Sequence, residues 1–225
     1  GAARASGDRR AAGIALLALG AVSRQAGDTA GARRSYAEAV AIFREIGDAV
    51  ADAAARGELA GLELEGGAAA VSAAGYRQAL GQLQGRRAPD VSWQLRAGLA
   101  DALLALAQPG EAVRELRLAM LDVEQAGSGF RAEARRAQYM ADKWAVYARL
   151  ALVEAERGMA GAAFEASEQL RAREMLAVLT QGQVAGPAPT ADLVLREQDL
   201  RRQVSELAAV VEQRVALTSP VRGPG

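Results

Sequence analysis

Three pairs of closely spaced carboxylates, Glu63/Glu65, Glu154/Glu156 and Glu165/Glu168, are the residues whose spacing first suggests chemistry. General acid–base catalysis needs two such groups converging on one substrate, with their pKa values driven apart. Side chains two positions apart on a helix diverge, which removes the first two pairs. Glu168 is better placed to meet Arg171 as an i,i+3 ion pair worth about a few tenths of a kcal/mol. All three pairs are therefore expected on solvated helix surface. Gly127-Ser128-Gly129 sets a serine between glycines. It lacks the Gly-Lys-Ser/Thr ending of a phosphate loop and the glycine two before the serine that a nucleophile elbow requires, so it is expected as a loop.

The residue inventory closes further routes. The chain has no histidine and no cysteine, so Ser-His-Asp and Cys-His nucleophilic machinery cannot be assembled from it. Structural zinc sites, which draw on the same two residues, are excluded almost as firmly. No catalytic, cofactor-binding or metal-ligating residue is expected, and the chain reads as non-enzymatic. Arg and Lys together number 27 and Asp and Glu number 27, so the net charge is zero and no basic footprint points to nucleic acid. There is no apolar run of bilayer-spanning length and no signal-peptide pattern. No nucleic-acid or membrane partner is expected, and a cytoplasmic location is. The single lysine, Lys143, among many arginines reads as the codon signature of a GC-rich genome. The opening at Gly1, inside what reads as a repeat, suggests an excised piece.

The elements that must position these residues are helices. Alanine, leucine, glutamate and arginine make up much of the chain, and four of the six prolines lie in the last forty residues. A 40-residue period runs through six columns: Leu19/Leu59/Leu99, Gly20/Ala60/Ala100, Gly27/Gly67/Ala107, Ala32/Ser72/Ala112, Tyr36/Tyr76/Leu116 and Ala39/Ala79/Ala119. Apolar spacing and glycine breaks predict helices near 8–26, 29–46, 49–65, 68–84, 90–107 and 110–125, with Pro109 in a first turn where its missing N–H is harmless. Residues 1–126 are thus three hairpins. A longer, off-period hairpin is expected at 127–181, with helices near 130–157 and 162–180 around the turn Gly158-Met159-Ala160-Gly161. A Gly/Pro linker follows at 182–189, and then a helix at 190–217 with Thr190 as N-cap. Leu193, Leu200, Val204, Leu207 and Val211 give that helix a heptad-like seam, and 218–225 reads as a flexible tail.

Two antiparallel helices approach closely only where the side chains between them are small. The Gly20 and Ala32 columns suit that role, while the Tyr36 column supplies a plug between neighbouring hairpins. No hairpin buries enough alone, so each leans on the next. Trp93 and Trp144 are expected as core plugs.

The Leu-Gly step at 19–20, the turn glycine at 27, Ala32, Tyr36 and Ala39 resemble the tetratricopeptide repeat in its longer form. The resemblance implies an all-α, right-handed superhelix of tetratricopeptide hairpins, with the last helix capping the array or packing on a neighbouring domain. It further implies that the first helix of each hairpin lines a groove for a protein or peptide partner. By that motif the groove positions are Leu17, Ala21, Arg24 and Gln25, then Gly61, Leu64 and Glu65, then Gln94, Asp101 and Leu104. The Lys/Asn/Arg cluster that holds a terminal carboxylate in chaperone-tail-binding members is missing.

The off-period hairpin adds a second resemblance. Ala163-Phe164, Ser167-Glu168, Arg171-Ala172-Arg173, Leu176 and Leu179, with Asp142-Lys143-Trp144-Ala145-Val146-Tyr147 before them, resemble the last repeat ahead of the peptidase domain in the CHAT family of bacterial caspase-like proteins. What this implies is a non-catalytic interaction scaffold in a larger bacterial protein, attached to a C-terminal effector domain. The alternative is the sensor array of a bacterial signalling ATPase, transcription regulator or kinase.

Overall fold

Glycine punctuates the alanine-rich runs, and most of the breaks share one turn. The computed structural model describes residues 2–128 and 143–180, and all regular structure among them is α-helical. The helices are α1 (Ala2–Gln25), α2 (Thr29–Glu45), α3 (Ala49–Glu65), α4 (Ala69–Gln82), α5 (Pro89–Ala105), α6 (Pro109–Ser128), α7 (Trp144–Glu156) and α8 (Ala160–Thr180). After α1, α2, α3, α5 and α7 the chain passes through a left-handed residue: Gly27, Gly47, Gly67, Ala107 and Gly158, with φ between 56° and 80°. Its amide bonds the carbonyl three back, and the next amide bonds the carbonyl five back, as Gly27 to Arg24 and Asp28 to Ser23. That double bond pattern satisfies carbonyls the helix end would leave open. Asp28 and Asp48 then start the next helices, accepting from the Gly31 and Ala51 amides at 2.8 and 3.1 Å.

The helices pair in order as α1 with α2, α3 with α4, α5 with α6 and α7 with α8. Each second helix also packs on the following first helix, and α3 touches α5. These contacts between successive hairpins are compatible with a helical repeat array. The small columns lie inside it: Ala32, Ser72 and Ala112, Ala39, Ala79 and Ala119, and Ala60 and Ala100 are all buried. The Ser72 hydroxyl finds no partner there, so the column selects small size over polarity.

The aromatic plugs sit on glycine. A Cβ built at Gly20 would overlap the Tyr36 ring, and one built at Gly98 would overlap the Tyr76 ring. At Gly13 the clash would be with Phe43 at 2.7 Å. Tyr36 also clusters with Leu62 and Leu59 of the next hairpin, as a plug between hairpins should. Trp93 is half-buried between two core clusters, with the Lys143 ammonium 5.7 Å from its ring centroid.

Several boundaries differ from expectation. Helix α1 begins at Ala2, because Ala2, Ala3 and Ala5 continue the helix through Gly7. Gly127 and Ser128 are the end of α6 and not a loop, since the Val113, Leu116, Met120 and Val123 stripe carries that helix onward. The expected helix over 130–157 does not run through: Lys143 is non-helical and α7 starts at Trp144. The turn before α8 is shorter than expected, because Ala160 and Gly161 already belong to the helix.

The fourth hairpin, off-period by simple counting, keeps the internal spacing of the others. Leu150-Ala151, Gly158 and Ala163 reproduce the steps of Leu99-Ala100, Ala107 and Ala112, with Leu99 to Leu150 spanning 51 positions where the others span 40. The linker at 182–189, the helix at 190–217 and the tail lie outside the described residues. Among the described residues no helix is long and apolar enough to cross a membrane.

Two stability predictions follow from the turns and the plugs. Ala107 is the one non-glycine among the left-handed turn residues, a conformation costing about 1–2 kcal/mol for a residue with a Cβ. After the greater chain entropy of glycine is subtracted, Ala107→Gly is expected to raise stability by about 0.5–1 kcal/mol in urea unfolding. Gly98→Ala should do the reverse. Helix propensity alone would favour it by about 1 kcal/mol, but overlap with Tyr76 makes it destabilising by about 1–3 kcal/mol. Tyr76→Leu should recover part of that loss in a double-mutant cycle.

Candidate functional site

The first helices α1, α3 and α5 carry the expected groove positions, and charged side chains stitch them to one another and to α7. Arg24, at the end of α1, reaches across to α3. Its Nε donates to Glu65 at 2.9 Å, its Nη2 also contacts Glu65, and its Nη1 donates to Glu58 at 3.2 Å. Asp101 on α5 accepts from Arg149 on α7. Beside the Arg24–Glu58 pair lies a small cleft of about 100 Å³ lined by Arg24, Glu58, Gly61, Tyr76, Gln94 and Leu95 among others.

Tyr76 shows how a core residue enters this face. Its ring is wedged over Gly98, and its hydroxyl would stand 3.3 Å from a Cβ at Gly61, beside the Arg24 guanidinium. Burial pushes the hydroxyl up to about 12, with Glu58, Asp101 and Glu65 pushing the same way and Arg24 opposing. It therefore stays protonated and offers a proton to an acceptor. Tyr36 is raised in the same direction, chiefly by burial. The hydrogen bond to Glu65 raises Arg24 despite partial burial, which fixes its charge.

Of the expected positions, Arg24, Gly61, Glu65 and Gln94 come together around the small cleft and its ion pair. Gly61 is itself buried, roofed by Arg24 and Tyr76, so it supplies room and no surface. Asp101 joins the face through Arg149. Leu104 lines a second cleft of about 500 Å³ with Arg149, Leu152 and Glu156. Leu17 turns inward against Tyr36 and Leu62, and Leu64 packs against the main core cluster. Ala21 and Gln25 are exposed on α1.

Sequence reasoning missed Glu58, the Tyr76 hydroxyl and Arg149. Glu58 lies two turns before Glu65 on one helix face, and that spacing could have flagged it. Arg149 precedes Leu150, so it becomes visible only once the fourth hairpin is placed in register.

The carboxylate pairs divide as their spacing demands. Glu63 turns to Arg33 on α2 while Glu65 turns to Arg24 on α1. Glu168 meets Arg171 as expected. Glu154 corrects the expectation of solvated surface. It is 1 % exposed, held by Arg117 of α6 at 2.6 Å and by Arg157 at 3.0 Å. It borders a cleft of about 620 Å³ between α6, α7 and α8, which also holds Glu165. With both oxygens engaged by guanidinium groups, Glu154 anchors the fourth hairpin to the third. Among the described residues no group of three acidic, histidine or cysteine side chains is placed to hold a metal ion.

No protein-family model matches the chain, and no curated protein matches it.

The side chains of the ion pairs on this face are 36–51% exposed, and such solvent-accessible pairs contribute about 0–1 kcal/mol. Arg24→Gln is accordingly expected to change the unfolding free energy by less than about 1 kcal/mol in urea titration, leaving a folded protein with an altered face.

Proposed function

We propose that this chain is a non-catalytic interaction scaffold of the tetratricopeptide type, forming a right-handed superhelix that receives a protein or peptide partner along its first-helix face. One observation carries the reading: Arg24, Glu58, Glu65, Tyr76, Gln94, Asp101 and Arg149 from successive helices share one face, paired weakly enough to be exchanged for a partner's groups. An array of neighbour-packed hairpins supports this reading, because repetition of one helix position along a face makes an extended surface instead of a single pocket. The charge on this face is mixed, with two guanidinium groups, three carboxylates and a phenol that stays protonated. A partner offering both signs, or an extended peptide whose backbone carbonyls accept from Tyr76 and Gln94, suits it better than a uniformly charged polymer.

The resemblance of residues 130–217 to the segment before a CHAT peptidase domain supports a finer reading. In it the scaffold regulates an attached caspase-like effector, with partner binding passed through the fourth hairpin. The buried Glu154, clamped by one arginine from each hairpin, supplies a stiff link at that junction.

A photo-crosslinking amino acid at Gln94 tests the interaction reading. In the source cells it is expected to give a discrete adduct that the same group at Arg34, on α2, does not give. Asp101→Arg should reduce the adduct at least about tenfold. Equal labelling from both positions, or an adduct indifferent to Asp101→Arg, would count against a partner on this face.

A further inference from the structure

Ala15, Leu19 and Val22 form a stripe at i, i+4 and i+7 on α1, and all three are exposed, Leu19 at 54 % and Val22 at 62 %. The same register recurs on every later first helix: Ala55, Leu59 and Leu62 on α3, Leu95, Leu99 and Ala102 on α5, Val146, Leu150 and Val153 on α7. There Leu59 is half-buried and every other member is 5 % exposed or less. What covers them is the second helix of the hairpin before. On α3, Ala55 packs with Phe43 and Ala39 of α2, and Leu59 and Leu62 pack with Tyr36.

We propose that the α1 stripe is a docking face for the second helix of one more hairpin of this repeat, joined in the same polypeptide through a turn at Gly7-Asp8. The occupant is defined by the stripe it meets. Ala15, Leu19 and Val22 differ from Ala55, Leu59 and Leu62 by one methylene, at Val22, so the helix that fits is one like α2. It carries an aromatic, an aliphatic and an aromatic side chain at the spacing of Tyr36, Val40 and Phe43. Gly7-Asp8 is the second observation. It stands 40 residues before Gly47-Asp48, where the chain leaves α2 through a left-handed glycine and Asp48 caps α3. In the present structure Gly7 is helical, with no second helix packed on the α1 stripe among the described residues.

A second copy of the described residues supplies no such helix. Helices α2, α4 and α6 already cover first helices of their own chain. On α8 the corresponding register positions are Ser167, Arg171 and Glu174, so the covering stripe turns polar there.

The experiment compares the chain with an extended form in which a second copy of residues 9–48 replaces residues 1–8, each form with and without Leu19→Glu plus Val22→Glu at the original positions. Extension is expected to slow amide exchange across residues 9–25 of the original α1 by at least about tenfold. In the extended form the double substitution should abolish that protection and lower Tm by about 10 °C, whereas in the present chain it should shift Tm by less than about 2 °C. Should the extended form not fold, a synthetic peptide of residues 28–48 titrated onto the present chain reads the same contact, and binding that vanishes with Leu19→Glu plus Val22→Glu supports it. Unchanged exchange on extension, or no peptide binding, overturns the proposal. So does sedimentation equilibrium showing that the present chain pairs through a surface that Leu19→Glu plus Val22→Glu destroys, which would assign the stripe to a second copy.

Discussion

A ring laid on a residue without a side chain is the contact that most of the rest of the structure depends on. Phe43 over Gly13, Tyr36 over Gly20 and Tyr76 over Gly98 each need the neighbouring backbone to come within van der Waals reach of an aromatic face. Glycine in a helix is unfavourable by roughly 1 kcal/mol against alanine, and a helix accepts that cost only where something is gained by proximity. Here proximity sets how far apart consecutive helices stand, and hence which side chains beyond them can touch. Arg24 reaches Glu58 and Glu65 because Tyr36 draws α1, α2 and α3 together. The Tyr76 hydroxyl emerges beside Arg24 because its ring is wedged between α3 and α5. The chemistry of the first-helix face is a by-product of the plugs beneath it.

Much of the fold was legible because it is repeated. Turn glycines, small columns and plugs recur at fixed steps, and each is a local steric demand that a single residue type satisfies. What was not legible required knowledge of partners distant along the chain. Nothing near Glu154 announces that it is buried, because the arginine that admits it, Arg117, lies 37 residues earlier on another helix. The start of α7 escaped for the opposite reason: residues 130–157 have unbroken helix-forming composition, and propensity alone does not place the non-helical residue at Lys143. In the candidate face, Arg24, Glu65, Gln94 and Asp101 were named by the motif the repeat resembles. Leu17 and Leu64 were named with them but pack inward, since a leucine at the margin of a helix face turns to whichever side offers cover.

The ion pairs of the molecule fall into two populations. Those on the first-helix face are accessible to solvent and weak, and would suit the partner exchange proposed for that face. Those at the Arg117–Glu154–Arg157 junction and at Arg96, which holds both Glu115 and Asp122, each engage a carboxylate less than a quarter exposed and tie helix to helix. A buried carboxylate between two guanidinium groups adds little net stability over an apolar substitute. It does penalise any shift of α7 along α6, because a displaced Glu154 would be left without its partners. Rigidity along the array and exchangeability across its face thus come from the same two residue types, separated by depth.

The fourth hairpin stacks on the third through the same columns as its predecessors, although eleven additional residues separate them in sequence. Closing a longer connection costs only about the logarithm of its length, so the packing at a junction hardly registers how much chain lies between the helices it joins. The seam between α6 and α7 is therefore a natural grafting point. Evolution, or an engineer, can splice foreign sequence there while the columns on either side continue to find one another.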